Sequence, residues 1–305
     1  MRYQFYTADV FTDRVFGGNQ LAVFPNPQGL NTRQMQQVAR EFNLSETVFV
    51  FPPETPQGTR RLRIFTPATE LPFAGHPTVG AAYILSVIGE ISLQPETTTI
   101  IFEEGVGAVP VKIRSEGGKP VYTELTAAQL PEFGPEPPTI ANLAAMLSLQ
   151  TSDLLNGEDC PQAISCGVPF LFIPLRNRQA LGRVQLNREH WKQLLSKYWA
   201  PSVYIFTYDA EFANSDVRSR MFAPIMGIEE DPATGSAATA LAGYLSIRNP
   251  LAKGTRRWTV EQGFEMGRPS LLQLEAEQEN GKIKAIRVGG SSVLVSEGTM
   301  EVPQL

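Results

Sequence analysis

Apolar residues in this chain follow two periods, and each patterned segment occurs twice in the same order. In LNTRQMQQVAREF, Met35, Val38, Ala39 and Phe42 fall at i, i+3, i+4 and i+7, the spacing that gives a helix one apolar face. LNREHWKQLLSKY, from Leu186, is a second amphipathic helix, and both open on Leu-Asn, where asparagine is a natural N-cap. Runs of β-branched and aromatic residues predict strands at TVFVF (47–51) and SVYIF (202–206), and again at RIFTP (63–67) and RMFAP (220–224). GGNQLAVFPN (17–26) answers to CGVPFLFIPL (166–175), each an extended apolar run that reaches a proline. Two further stretches, 77–88 and 232–246, are apolar on every side of a helical wheel, which predicts helices buried all round.

The spacing between the copies is nearly constant. Val48 and Val203, Pro77 and Pro232, and Gly80 and Gly235 are each 155 positions apart (203−48, 232−77, 235−80). Strand, helix, strand, strand and helix in one order at a nearly constant offset imply an internal duplication and two homologous domains. The expected division is a first half over 1–130 and a second over 139–291, with the strand-like segment 292–305 able to return and complete the first sheet. LPEFGPEPP (130–138) holds four prolines in nine residues, so 131–138 is expected to be a stiff extended linker. The expected fold class is α+β, each half a curled, mostly antiparallel sheet around a central buried helix.

Composition narrows the function. Hydrophobic residues at 42% and charged residues at 19% describe a globular chain of 305 residues, long enough for two cores. The net charge of −5, with no basic block longer than an Arg pair, leaves nucleic-acid binding without an electrostatic footprint. The N-terminal MRYQFYTADVFTDRVF lacks the apolar core of a signal peptide, and no run of about 18 apolar residues occurs, so a cytoplasmic protein without membrane contact is expected. Cys160 and Cys166, with His76 and His190, are too few and too widely spaced for structural zinc, and no metal is expected.

The candidate chemistry sits where the copies meet their buried helices, at HPTVGAA (76–82) and DPATGSAA (231–238). Proline at the first helical position, preceded by His76 or Asp231, would mark each helix start, where free N–H groups and the helix dipole favour an anion. Small residues after each start, Thr78, Gly80 and Ala81 in one copy and Ala233, Gly235 and Ser236 in the other, would let a ligand approach the backbone. Asp231 also serves as a plain N-cap, whereas imidazole is not a preferred cap, which points His76 toward chemistry. Glu46, in NLSETVFVF, has no counterpart, because the second copy carries Pro201 there. A glutamate in such a turn is ordinarily a solvated charge; its place on the face leading to the helix starts makes it a candidate acid or base.

FTDRVFGGNQLAVF, LSETVFVF, FTPATELPFAGHPTVGAA and EEDPATGSAA, in that order, resemble the PhzF (phenazine biosynthesis) family of isomerases along nearly the whole chain. The resemblance implies a fold similar to diaminopimelate epimerase, a homodimer, and a proton shift on a small, cyclic, carboxylate-bearing substrate with no cofactor. It further implies Glu46 as general acid/base, His76 and Asp231 as relay partners, and Asn19, Ser45, Gly75, Gly235 and Ser236 as substrate-binding positions. Diaminopimelate epimerase uses a cysteine from each half, and neither cysteine here follows a helix start, so a two-thiol racemase is disfavoured. An epimerase-like two-base enzyme, or a small-molecule binding protein retaining the fold, are the alternatives. A hydrolase with Ser236 as nucleophile would lack the G-x-S-x-G elbow.

Overall fold

The structure is a computed structural model and describes residues 1–303. The chain forms two compact units, one built from Met1–Ala128 and the segment that begins at Val288, the other from Gln129–Arg287.

In the first unit, strand Arg2–Val10 pairs antiparallel with Asn19–Phe24 on one side and with Ser292–Glu301 on the other. Asn19–Phe24 runs parallel to Glu46–Phe51, which pairs antiparallel with Arg60–Phe65. Arg60–Phe65 lies parallel to Thr97–Glu104, and the meander continues antiparallel through Gly107–Glu116 to Lys119–Thr126. Helix Thr32–Phe42 forms the parallel crossover. It begins at Asn31, whose side chain accepts from Gln34 while Gln34 reciprocates, and it ends on Asn43 in the left-handed region at φ 52°. Its apolar face, Met35, Val38 and Ala39, packs with Phe24, Phe49 and Phe65. Burying a methionine or valine side chain contributes roughly 1.5–3 kcal/mol and an alanine methyl less, which is why the pattern at 35, 38, 39 and 42 is decisive locally.

The second unit repeats this plan. Gln162–Ser165 pairs antiparallel with Pro169–Pro174, which runs parallel to Ser202–Thr207; that strand pairs antiparallel with Val217–Ala223, itself parallel to Lys253–Gln262. Helix Arg188–Leu195 lies in the crossover, with Asn187 accepting from the amides of Glu189 and His190.

Each unit has one helix buried on nearly all sides, Gly75–Val87 in the first and Gly235–Arg248 in the second. Val79, Ala81, Ala82, Ile84 and Leu85 are fully buried in one; Ala237, Ala238, Ala240, Leu241 and Tyr244 are in the other. Small residues set how closely the strands approach: a Cβ on Gly80 would stand 2.5 Å from Leu21 and 2.6 Å from Val10. No helix among the described residues is long and apolar enough to cross a membrane.

The segment 131–138 differs from the linker expected of it. Glu132–Phe133 pairs with Ile164 and Ser165, and the Gly134 amide donates to Ala163. Pro131 packs against Gly243, where a Cβ would meet the proline ring at 2.7 Å. Proline is admissible there because a strand edge leaves alternate N–H groups without a ladder partner.

Candidate active site

The first unit brings together three of the candidate residues. Asn19 opens strand Asn19–Phe24, Glu46 opens strand Glu46–Phe51, and those two strands are parallel neighbours with Leu21 opposite Glu46. His76 stands in the first turn of helix Gly75–Val87. The Asn19 amide nitrogen lies 3.2 Å from His76 Nδ1, and His76 Nε2 lies 3.2 Å from Glu46 Oε2. All three side chains are buried, His76 at 3% exposure and Glu46 at 6%. The ordinary role of such a glutamate, a solvated charge, does not apply to Glu46: it is buried at the start of a strand, paired beside Leu21 and facing His76.

Burial governs the charge on the imidazole. Desolvation pushes the pKa of His76 down to about 3, outweighing the hydrogen bond to the Gln20 main chain that favours the charged form. His76 is therefore neutral at physiological pH, and its approach to Glu46 is that of a neutral ring beside a carboxyl group, not an ion pair. The Asn19 side-chain amide holds the ring from its Nδ1 side, and Nε2 is the nitrogen that faces Glu46. Ser45, beside Glu46, is half-buried, and Gly75 is buried at the head of the helix.

In the second unit, Asp231, Gly235 and Ser236 lie in one short segment whose geometry corrects the expected helix start. Asp231 ends the short strand Ile228–Asp231, and the helix begins at Gly235, so Pro232 stands outside the helix and not at its first position. Asp231 Oδ2 accepts from the Thr234 hydroxyl at 2.6 Å, and the Asp231 carbonyl accepts from the Gln262 amide at 2.7 Å. Gln262 Oε1 accepts in turn from the Thr234 amide at 3.1 Å, so this clamp keeps Asp231 to Thr234 extended until the helix can begin. In the first unit the Thr78 amide reaches back to the Ala74 carbonyl, which closes a helical turn around His76 and Pro77. His76 thus lies within its helix and Asp231 ahead of its own, unlike the matched positions expected. Asp231 is 4% exposed and Ser236 is half-buried.

Cys166 is buried, and desolvation pushes its thiol up to about 12, which leaves it protonated and inert as a base. Sequence reasoning missed Gln262, Thr234 and Glu104, and read Thr78 only as a small residue of the helix start. The signal was present in FEEGV (102–106) and VEQGF (260–264), whose first four positions match in character at an offset of 158 (262−104).

Residues 8–298 match the family described as phenazine biosynthesis-like protein, PhzC-PhzF. The chain belongs to this family. A PhzC-PhzF relative from Pseudomonas aeruginosa, trans-2,3-dihydro-3-hydroxyanthranilate isomerase, is 33% identical over 97% of this chain and 98% of its own. A protein of Mesorhizobium japonicum named as an uncharacterised isomerase is 39% identical, covering 96% of both chains. A crystal structure of a PhzF-family phenazine biosynthesis protein from Bacillus anthracis superposes with a TM-score of 0.88 over 99% of this chain and all of its own, at 23% identity, and shares the fold. This PhzC-PhzF protein is accordingly an isomerase.

Proposed function

We propose that this isomerase moves a proton between two carbons of a small, cyclic, carboxylate-bearing substrate, with Glu46 both removing and returning it and with no cofactor. The observation that carries this reading is the buried Asn19–His76–Glu46 arrangement, in which a carboxyl group meets a neutral imidazole at 3.2 Å. Abstraction of a proton from a carbon beside an unsaturated or carboxyl-bearing centre leaves an electron pair that shifts along the conjugated system. Return of the same proton at the far carbon completes the isomerisation with atoms and charge balanced. The His76 ring, oriented by Asn19, faces the Glu46 carboxylate before the proton is taken and after it is returned; between the two transfers Glu46 carries the proton as a neutral acid. Ser45 and the Gly75 amide are assigned to the substrate carboxylate. Within the second unit, the Gly235 amide and the Ser236 hydroxyl are assigned to binding a carboxylate, and Asp231 to a proton relay.

The test uses trans-2,3-dihydro-3-hydroxyanthranilate, the compound named for the P. aeruginosa relative, as trial substrate. Glu46→Gln keeps the shape of the side chain and loses its proton-accepting charge, so turnover falls by at least about 10³-fold while the variant melts no lower than the parent. In heavy water the parent should retain part of the transferred hydrogen as protium, delivered to the face that lost it, because a buried carboxyl exchanges slowly with solvent. Complete deuterium incorporation on the opposite face would replace the single-glutamate account with a two-base reaction in which Asp231 or His76 is the second base.

A further inference from the structure

The register of the two units singles out one residue that the mechanism does not use. Strand Thr97–Glu104 places Glu103 opposite Arg61, and strand Lys253–Gln262 places Glu261 opposite Arg218. Glu103 accepts from the amides of Glu54 and Thr55 at 2.6 and 2.8 Å; Glu261 accepts from those of Glu211 and Phe212 at 2.9 and 2.7 Å. Arg61 pairs with Glu54 at 3.0 Å, as Arg218 pairs with Glu211 at 2.7 Å. These matches make Glu103 the counterpart of Glu261, and the next residue, Glu104, the counterpart of Gln262.

Gln262 clamps the entry to its helix with an uncharged amide that donates to Thr234 Oγ1 at 3.0 Å and to the Asp231 carbonyl. At the same place in the first unit, Glu104 Oε1 lies 2.6 Å from Thr78 Oγ1, which is itself 2.8 Å from the Ala74 carbonyl. The threonine hydroxyl has one proton for two neighbours, and a carbonyl can only accept. With that proton on Ala74, the contact between Thr78 and Glu104 requires a proton supplied by the glutamate. Both side chains are buried, Glu104 at 8% exposure and Thr78 at 0%, and Glu104 Oε2 has no hydrogen-bond partner among the described residues. A carboxylate there would carry an uncompensated buried charge, whereas a carboxylic acid is isosteric with glutamine and needs only one donor contact.

We infer that Glu104 is a positioning residue that works as an uncharged carboxylic acid, donating to Thr78 and thereby fixing the first turn of the helix that carries His76. The charged groups around it are already engaged. Of those lining the same cavity of about 660 Å³, Arg61 is paired with Glu54, Arg63 grips Glu70 through two bonds of 2.7 Å, and Glu103 is held by main-chain amides. On the helix itself, His76 is neutral. Burial raises the Glu104 pKa to about 8, opposed only by the Thr78 hydroxyl. Above that pH the Thr78 proton must turn from Ala74 to the carboxylate, and the helical turn at His76 loses its side-chain brace.

The effect on turnover rests on the role given to His76 above; the protonation of Glu104 and its coupling to His76 do not. The test is a pH titration of the full chain carrying 13C-labelled glutamate carboxyls and 15N-labelled histidine. The Glu104 resonance, assigned by its loss in Glu104→Gln, is expected to titrate near pH 8, with the His76 ring resonances moving in the same step and holding still in Glu104→Gln. Thermal melts supply a second readout. The folded chain retains the proton between the unfolded value of 4.5 and about 8, so over that window the parent loses stability relative to Glu104→Gln as pH rises, and the gap is constant above it. In turnover, Glu104→Gln keeps kcat within about twofold at pH 7, while Glu104→Met, which has no donor, loses about tenfold. A Glu104 resonance titrating in the ordinary carboxylate range would overturn the inference, as would melts that run parallel or a His76 ring that ignores the step. Absence of turnover with an intact coupled titration would count against the proposed function and leave Glu104 as assigned.

Discussion

The imidazole of His76 is uncharged, so its 3.2 Å approach to Glu46 forms no ion pair that would hold the carboxyl group in its charged form. The same burial gives it a thermodynamic signature. Between about 3 and 6.5 the unfolded chain binds a proton on this histidine and the folded chain does not, so stability rises with pH across that window and is lost as pH falls. His76→Gln should remove this slope, which for one group is at most about 1.4 kcal/mol per pH unit. Glu104 contributes the opposite slope between 4.5 and about 8, and the two oppose each other where the windows overlap. Urea melts of His76→Gln and Glu104→Gln at pH 4, 5.5 and 7.5 separate them. A parent whose acid-side slope survives His76→Gln unchanged would show that the ring is not buried in its neutral form.

At the scale of elements, the decisive pieces are the short extended segments that lead into the two buried helices, and a glycine limits each. Gly263, directly after Gln262, adopts φ 78°, and a Cβ there would stand 2.4 Å from the Arg268 carbonyl and 2.5 Å from the Pro232 carbonyl. Both obstacles are main chain, which cannot swing aside. Gly263→Ala combines a left-handed penalty of roughly 1–2 kcal/mol with displacement of the Asp231–Thr234 segment. A loss of at least about 2 kcal/mol in a denaturant melt is expected, together with a lower kcat. Retention of parental stability would mean that the loop gives way freely and does not position Asp231. The amphipathic helix Thr32–Phe42 is less sensitive, since its caps contribute about 1 kcal/mol against a face of several buried apolar residues.

At the scale of the whole molecule, the first unit is closed by the far end of the chain. Ser292–Glu301 pairs with Arg2–Val10 along its length, Val302 enters the apolar cluster with Tyr3 and Met35, and the Gln34 side chain donates to the Pro303 carbonyl at 2.7 Å. A chain ending at residue 291 should therefore expose one edge of Arg2–Val10. Hydrogen exchange is expected to show the amides of that strand which face 292–301 exchanging at the rate of unfolded peptide, and those paired with Asn19–Phe24 weakening as well. Protection unchanged by the truncation would show that the strand's stability comes from its other neighbour alone.

Periodicity was sufficient for the elements and for the duplication, because the apolar face of a helix and the β-branched run of a strand are local properties repeated at nearly one offset. It also made Glu46, His76 and Asp231 stand out, through the departures of one copy from the other. What periodicity could not supply was burial and hydrogen bonding between residues distant in sequence. Glu46 reads as a surface charge until its strand pairs beside Leu21 and the buried helix start brings His76 against it, and the proline-rich segment reads as a linker until Ile164 and Ser165 offer it an edge. Both helix starts moved from their expected positions for the same reason. Gln262 holds Asp231 and Thr234 extended across 31 and 28 positions of sequence, and Glu104 reaches Thr78 across 26. Charge state followed the same divide: the sequence by itself determined which groups titrate, and only the tertiary structure, by withdrawing water from His76 and Glu104, decided that the imidazole is held neutral and that the carboxyl is pushed up to about 8.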